Sequence, residues 1–219
     1  MIISRRFNGP PDSGNGGYCA GRFAALVDGP AVVTLRRPPP LETPLQAARG
    51  SAGFRIYAGD QVVADALPAQ GPAPAPVLPV GLTEALDASE AYAGLADHPF
   101  STCYVCGVDR AEGDGLLIFA GPLPDGRSAA PWVVPDDVAV ETMWAALDCP
   151  GGWAIGGVGR PYVLGRIAAV VSALPEPGEI CLVVGVCDGV EGRKAYARTT
   201  IYSLKSEVMA TAEATWVAV

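Results

Sequence analysis

A single histidine, His98, stands among 219 residues. That scarcity excludes histidine-rich metal centres and leaves any cysteine–histidine nucleophile pair only one residue to recruit. Basic side chains are few as well: 15 Lys and Arg face 23 Asp and Glu, for a formal net charge of -8. The basic runs are short, Arg5-Arg6 and Arg36-Arg37, so nothing resembles the electrostatic footprint of a nucleic-acid binder. No apolar stretch approaches the roughly 18 residues of a membrane-spanning helix. The amino-terminal Met1-Ile2-Ile3-Ser4-Arg5-Arg6-Phe7 lacks the apolar centre of a secretion signal. The expectation is a cytoplasmic protein with no nucleic-acid partner and no membrane span. In that setting the six cysteines, Cys19, Cys103, Cys106, Cys149, Cys181 and Cys187, read as thiols, most of them small buried apolar residues, and not as a disulfide framework.

What is present is a chain that is 50% hydrophobic, ample for a buried core. Two helical stretches organise it. The first lies within Ser13–Gly29, where Gly17, Ala20, Gly21, Ala24 and Ala25 give a thin side that a sheet can approach, at a propensity cost of roughly 1 kcal/mol per glycine. Ser13 or Asn15 can cap its start, and Asp28-Gly29-Pro30 stops it. Gly16 and Gly17 fall in the first turn. Bare glycines there leave backbone N–H groups open to a ligand oxygen, or simply permit a tight helix start; both readings stand. The second stretch, Asp137 to Trp153, begins with acidic Asp136-Asp137, which suits the helix dipole, and Pro150-Gly151-Gly152 interrupts or ends it.

Strands account for most of the rest. Residues 2–7 can form a short one; Ala31–Arg37, Leu45–Gly50, Gly53–Tyr57 and Gln61–Leu67 follow the first helix, joined by short turns. Pro68–Pro79, with five prolines among alanines, predicts an extended, semi-rigid spacer. A polar-apolar piece, Leu82–Leu95, leads to His98 and the second half. There Leu116–Phe119 can be a strand and Pro122–Pro135 reads as a loop. Tyr162–Leu174, Glu179–Cys187, Ala195–Leu204 and Val208–Val219 form an antiparallel meander. Ile56-Tyr57 with Val62-Val63-Ala64 and Ala66 has a counterpart in Ile201-Tyr202 with Val208-Met209-Ala210 and Ala212, which points to an internal duplication. The expected domains are residues 1–67 and 98–219, with 68–97 as linker.

These features resemble the double hotdog thioesterases, α+β proteins in which two copies of a helix wrapped by an antiparallel sheet lie in one chain. The carboxyl-terminal meander carries the likeness best, through Leu164-Gly165-Arg166, Pro177-Gly178-Glu179, Gly192-Arg193-Lys194-Ala195, Ile201-Tyr202 and Ala214-Thr215-Trp216. Asn15-Gly16-Gly17 is similar to the glycine pair that opens the first helix in type II acyl-CoA thioesterases. The resemblance implies an acyl-CoA or acyl-carrier thioester substrate bound between the halves. It also implies a helix start that polarises the thioester carbonyl (Gly16, Gly17, with Asn15 orienting it) and an Asp near the end of the second helix, here Asp148, that activates water. The family adds a Thr or Ser and a Gln as helpers. Here Gly157-Val158-Gly159-Arg160-Pro161 has no hydroxyl, and Glu213–Thr215 has no Gln, so Arg160, Glu213 and Thr215 are the replacements on offer, with Tyr18 a further substrate contact. The incomplete set leaves two readings: a thioester hydrolase, or an acyl-thioester-binding protein that has lost catalysis. The exposed sheet edges of such a fold can pair it into a homo-oligomer.

Other candidates are weaker. Cys103-x-x-Cys106 has zinc-ligand spacing but no second such pair and no neighbouring histidines, so neither metal nor cofactor is expected. Cys19 and Cys149 read as packing residues, and His98, before Pro99, as a junction or surface residue.

Overall fold

The computed structural model describes residues 1–111, 113–156 and 161–219. After α1 (Gly16–Ala24), the β-branched run Ala31–Leu35 becomes β1, followed by β2 (Leu45–Arg49), β3 (Phe54–Ala58) and β4 (Gln61–Pro68). The second half supplies β5 (Gly121–Pro122), β6 (Ser128–Val133), α3 (Val140–Ala146), α4 (Cys149–Ala154), β7 (Tyr162–Val171), β8 (Ile180–Glu191), β9 (Lys194–Ser203) and β10 (Val208–Ala218). All ten strands join one antiparallel sheet in the order β2-β3-β4-β1-β7-β10-β9-β8-β6-β5. The order β1-β4-β3-β2 on one side of the centre is mirrored by β7-β10-β9-β8 on the other. The two halves meet where β1 pairs with β7, from Ala31 opposite Ala169 to Thr34 opposite Arg166.

The duplication is visible in the register. Ile56 faces Ala64 and Tyr57 faces Val62 across β3 and β4, while Ile201 faces Ala210 and Tyr202 faces Val208 across β9 and β10. Each hairpin also carries a register shift at that place. The matching residues sit at matching pairs, bulge included, as a duplicated hairpin requires.

α1, α3 and α4 lie on one face of the sheet, where Phe23, Val33, Ile56, Met143, Ile167 and Ile201 are fully buried in one continuous core. α1 and α3 touch through glycine: a Cβ on Gly17 would lie 2.5 Å from the Trp144 carbonyl oxygen, and one on Gly21 2.7 Å from Glu141 Cα. The backbones are therefore as close as helices can pack.

Four expectations change in detail. The second helix is two: it breaks at Leu147-Asp148, and Pro150-Gly151-Gly152 lies inside α4, where Pro150 in the first turn forfeits no helical hydrogen bond. Residues 128–133, read as loop, are strand β6, because Ala130 and Trp132 point into the main core while Ala129 points to the other face. Leu116–Phe119 is not a strand, although Leu116 and Ile118 N–H groups bond the Tyr104 and Val105 carbonyls. Residues 2–7 contain a 3-10 turn at Arg5–Phe7, with Met1 and Leu45 exchanging backbone hydrogen bonds.

Past Pro68, which ends β4, the proline-rich stretch has no regular structure up to Gly81, after which α2 (Leu82–Glu90) forms. From Val77 onward this segment covers the outer face of the second half. Val77, Val80, Ala85 and Ala88 pack with Leu182, Val184 and Tyr202 in a second small core. Val77 N–H donates to Thr200 Oγ1 at 2.9 Å, and Tyr202 Oη donates to the Val77 carbonyl. Gly121 sits under α2, where a Cβ would meet the Ala88 carbonyl oxygen at 1.7 Å. Gly121→Ala is expected to lift α2 and cost about 1–3 kcal/mol by overpacking, read as a fall in the urea midpoint. No helix among the described residues is long and apolar enough to cross a membrane.

Candidate active site

The start of α1 and the break between α3 and α4 face each other across the closest helix contact. Asn15 is the N-cap of α1: its Oδ1 accepts the Tyr18 N–H at 2.9 Å. That leaves its Nδ2 pointing away from the helix, and it donates to Asp148 Oδ2 at 3.2 Å. The Gly17 N–H, one of the free donors of the first turn, donates to the same oxygen at 2.8 Å. A glycine is needed at 17 because a Cβ there would also strike Asp148 Cβ at 2.6 Å. Asp148 is thus held by the first turn of the other half's helix.

Only one carboxylate oxygen is so held. Asp148 is buried, and its Oδ1 has no hydrogen-bond partner among the described residues. Burial lifts its pKa to about 7, against the Gly17 and Asn15 hydrogen bonds that favour the charged form.

Asp148, Asn15 and Gly16 line a cavity of about 390 Å³ at the β1–β7 seam. Its walls are mostly apolar, from Leu35, Phe100, Trp153, Leu164 and Val217. Three of the four unpartnered buried side-chain polar atoms among the described residues, Asp148 Oδ1, His98 Nε2 and Trp216 Nε1, belong to residues lining it. Unpaired buried polar groups are rare, and such a convergence marks a place where something else supplies the partners. At one side, Arg36 and Arg37 also line the cavity. Arg36 is paired with Asp65 at 2.8 Å, whereas Arg37 is exposed and forms no ion pair with any described residue.

Beside Asp148 lie three thiols. Asn15 Nδ2 is 3.9 Å from Cys103 Sγ and from Cys149 Sγ, and those two sulfurs are 3.8 Å apart. Hydrogen bonds from the Cys106 and Cys149 thiols hold Cys103 well below the ordinary thiol range; burial pushes Cys106 up, and the contact with Cys103 pushes Cys149 up.

Of the residues singled out in the sequence, the structure brings Asn15, Gly17 and Asp148 into direct contact and puts Gly16 on the cavity wall. Gly17 N–H is committed to Asp148, while Gly16, on the cavity wall, has an N–H without a hydrogen bond among the described residues. Tyr18 lies elsewhere: it is buried in the core, stacked on Phe7 with ring centroids 3.9 Å apart. Thr215 and Glu213 line a separate depression with Arg166 and Tyr196, on the sheet face opposite the one that carries buried Trp216. Arg160 falls outside the described residues. His98, Trp216, Cys103 and Cys149 were not read as site residues. Only Cys103 carries a local signal, its spacing from Cys106; the others reach the cavity through strand order, the α3–α4 break and the fold of the 98–107 loop.

No protein-family model matches the chain, and no curated protein matches its sequence. Solved structures do match in shape. A tesB protein from Mycobacterium avium subsp. paratuberculosis superposes with TM-score 0.59 at 13% identity, covering 96% of this chain and 89% of its own. A conserved hot dog-fold protein of unknown function from Alicyclobacillus acidocaldarius gives TM-score 0.59 at 12% identity over 99% of this chain and 91% of that one. An acyl-CoA thioesterase II, TesB2, from Mycobacterium marinum gives 0.52 at 15% identity over 94% and 90%. At these identities the likeness establishes the fold, a double hotdog.

Proposed function

We propose that the chain hydrolyses an acyl thioester bound in the cavity between its two halves, with Asp148 activating the attacking water. The observation that carries this reading is Asp148, held through one carboxylate oxygen by Asn15 and Gly17 and lining an apolar cavity at the start of α1, with its other oxygen unpartnered among the described residues. The names of the structural neighbours, a tesB protein and an acyl-CoA thioesterase II, support the same class. In this reading the acyl chain lies against Phe100, Trp153 and Leu164, and the thioester oxygen takes the Gly16 N–H. Water bound at Asp148 Oδ1 gives a proton to the carboxylate as it attacks the carbonyl carbon, and the oxyanion forms at Gly16. Collapse of that intermediate breaks the carbon–sulfur bond. The departing thiolate recovers the proton, leaving a carboxylic acid and a free thiol. Gly17 serves by holding the base, not by touching substrate.

Arg37 fits the phosphates of coenzyme A or of a carrier's phosphopantetheine arm. Arg37→Glu is expected to raise KM for a CoA thioester about tenfold, roughly 1.4 kcal/mol. Hydrolysis of a short thioester without phosphates stays unchanged, and steady-state kinetics on the two substrates checks this.

A second reading, a non-catalytic acyl-thioester-binding protein, is favoured by one observation: among the described residues Asp148 receives hydrogen bonds only from Asn15 and Gly17, with no hydroxyl or Gln beside it. Thiol release from short, long, branched and aromatic acyl-CoA substrates separates the two. Turnover supports hydrolysis; no turnover on any of them, with acyl-CoA still raising Tm, supports binding alone.

A further inference from the structure

Three cysteines separated in the chain meet at the cavity wall. Cys103 and Cys106 come from the loop that follows Phe100, Cys149 from the first turn of α4, and their sulfurs all lie within 4.8 Å of one another. All three are buried and all three line the cavity. The Cys103–Cys149 separation of 3.8 Å is far too long for a disulfide, whose sulfurs lie about 2.05 Å apart. It is instead the spacing of two corners of a tetrahedron around zinc. Zinc–thiolate bonds of about 2.3 Å set neighbouring sulfurs about 3.8 Å apart.

The surroundings are built for the same purpose. Cys103-Tyr104-Val105-Cys106-Gly107 has the two-residue spacing of zinc-binding turns, and the Gly107 N–H donates to the Cys103 carbonyl at 2.9 Å. Gly107 closes the turn so tightly that a Cβ would lie 2.5 Å from the Cys103 carbonyl oxygen. Asn15 Nδ2 reaches two of the sulfurs at 3.9 Å, the kind of outer donor that steadies a metal-bound thiolate. His98 is a neighbour and not a ligand. Its Nδ1 accepts the Phe100 N–H at 2.9 Å, so in the neutral ring the proton sits on Nε2, which is a donor without a partner.

We propose that Cys103, Cys106 and Cys149 bind one zinc ion as three thiolates, with the fourth position opening into the cavity to take a water or a ligand atom. Binding releases the thiol protons to solvent and changes no oxidation state. The site rests on sulfur geometry and stands whether or not the cavity holds a thioester.

The test uses the full wild-type chain, reduced and stripped with a chelator, and titrated with Co²⁺ as an optical probe for the zinc site. One Co²⁺ per chain is expected, with thiolate-to-cobalt charge transfer in the near ultraviolet and the intense visible bands of four-coordinate cobalt, all displaced by Zn²⁺. Cys103→Ser and Cys149→Ser are expected to lose these bands, and Cys187→Ser, on β8 outside the cluster, to keep them. A wild-type chain without charge-transfer bands overturns the proposal, as does an undiminished spectrum in a folded Cys149→Ser. Should a serine variant fail to fold, X-ray absorption of the zinc-loaded wild-type chain decides. Three sulfurs at about 2.3 Å with one lighter ligand are expected, and a shell of oxygen and nitrogen alone overturns it.

Discussion

Replacing Asp148 with Asn is expected to lower kcat for thioester hydrolysis by about 10²–10⁴-fold, the range spanned by a positioned general base, while the chain stays folded. The geometry separates these two outcomes. Asp148 Oδ2 accepts from Asn15 Nδ2 at 3.2 Å and from Gly17 N at 2.8 Å, and an asparagine carbonyl oxygen can accept both bonds in the same place. What the amide loses is the second oxygen. The Oδ1 position, which has no partner among the described residues, would carry an NH₂ group that cannot take a proton from water. In the proposed binding mode the substrate rests on the cavity walls and Gly16, so KM and the shift in Tm on adding an acyl-CoA should barely change. Thiol-release kinetics beside thermal melts of the same preparation check both halves of the expectation. Full activity in Asp148→Asn would remove Asp148 from the chemistry and leave the cavity as a binding site alone.

Much of the fold was legible because its signals are local. Most of the eight strands of the two meanders carry β-branched residues and are bounded by Gly, Pro or Asp turns, and the matched pairs Ile56–Ala64 and Ile201–Ala210 could be aligned before any register was known. Asn15 and the glycines after it carry a helix-start signature in three consecutive residues. β6 was missed because Pro131 and short alanines hide a strand whose alternation shows only against α2 on one face and the core on the other. The cavity wall was legible in part. Asp148 was singled out through the resemblance to the double hotdog thioesterases, but its partners Asn15 and Gly17 lie more than 130 positions away, and no periodicity links them. Cys149 illustrates the same limit. Cys103-x-x-Cys106 looks incomplete as a ligand set along the chain, and the third sulfur arrives only when the α3–α4 break packs against the loop. Trp216 shares the core-facing side of β10 with Ala210 and Ala212, but only the strand order puts it beside the cavity.

Gly17→Ala is expected to cost both stability and activity, and Gly21→Ala stability alone. Each substitution adds a methyl where two helix backbones already touch. At Gly17 it would lie 2.5 Å from Trp144 O and 3.1 Å from Ala145 Cα; at Gly21, 2.7 Å from Glu141 Cα and 2.9 Å from Trp144 Cβ. Backbone atoms cannot rotate aside, so α3 must move. The gain in helix propensity, roughly 1 kcal/mol, is outweighed by overpacking of about 1–3 kcal/mol or more. The net effect should be a lowered denaturant midpoint for both variants, most plainly for Gly17, where the methyl also meets Asp148 Cβ at 2.6 Å. The two differ in chemistry because Gly17 also gives its N–H to Asp148, and Gly21 lies one helical turn beyond it. Moving α3 away at Gly17 lengthens the bond that orients the carboxylate, so kcat should fall about tenfold or more, a loss of roughly 1.4 kcal/mol in the transition state. At Gly21 the same displacement is absorbed near Glu141. Unfolding curves and kcat for the two variants, measured well below their melting temperatures, distinguish the cases. Equal losses of kcat would mean that helix spacing alone governs the site, whereas a loss confined to Gly17→Ala ties the rate to one backbone N–H and makes the α1–α3 contact the element that sets the base in place.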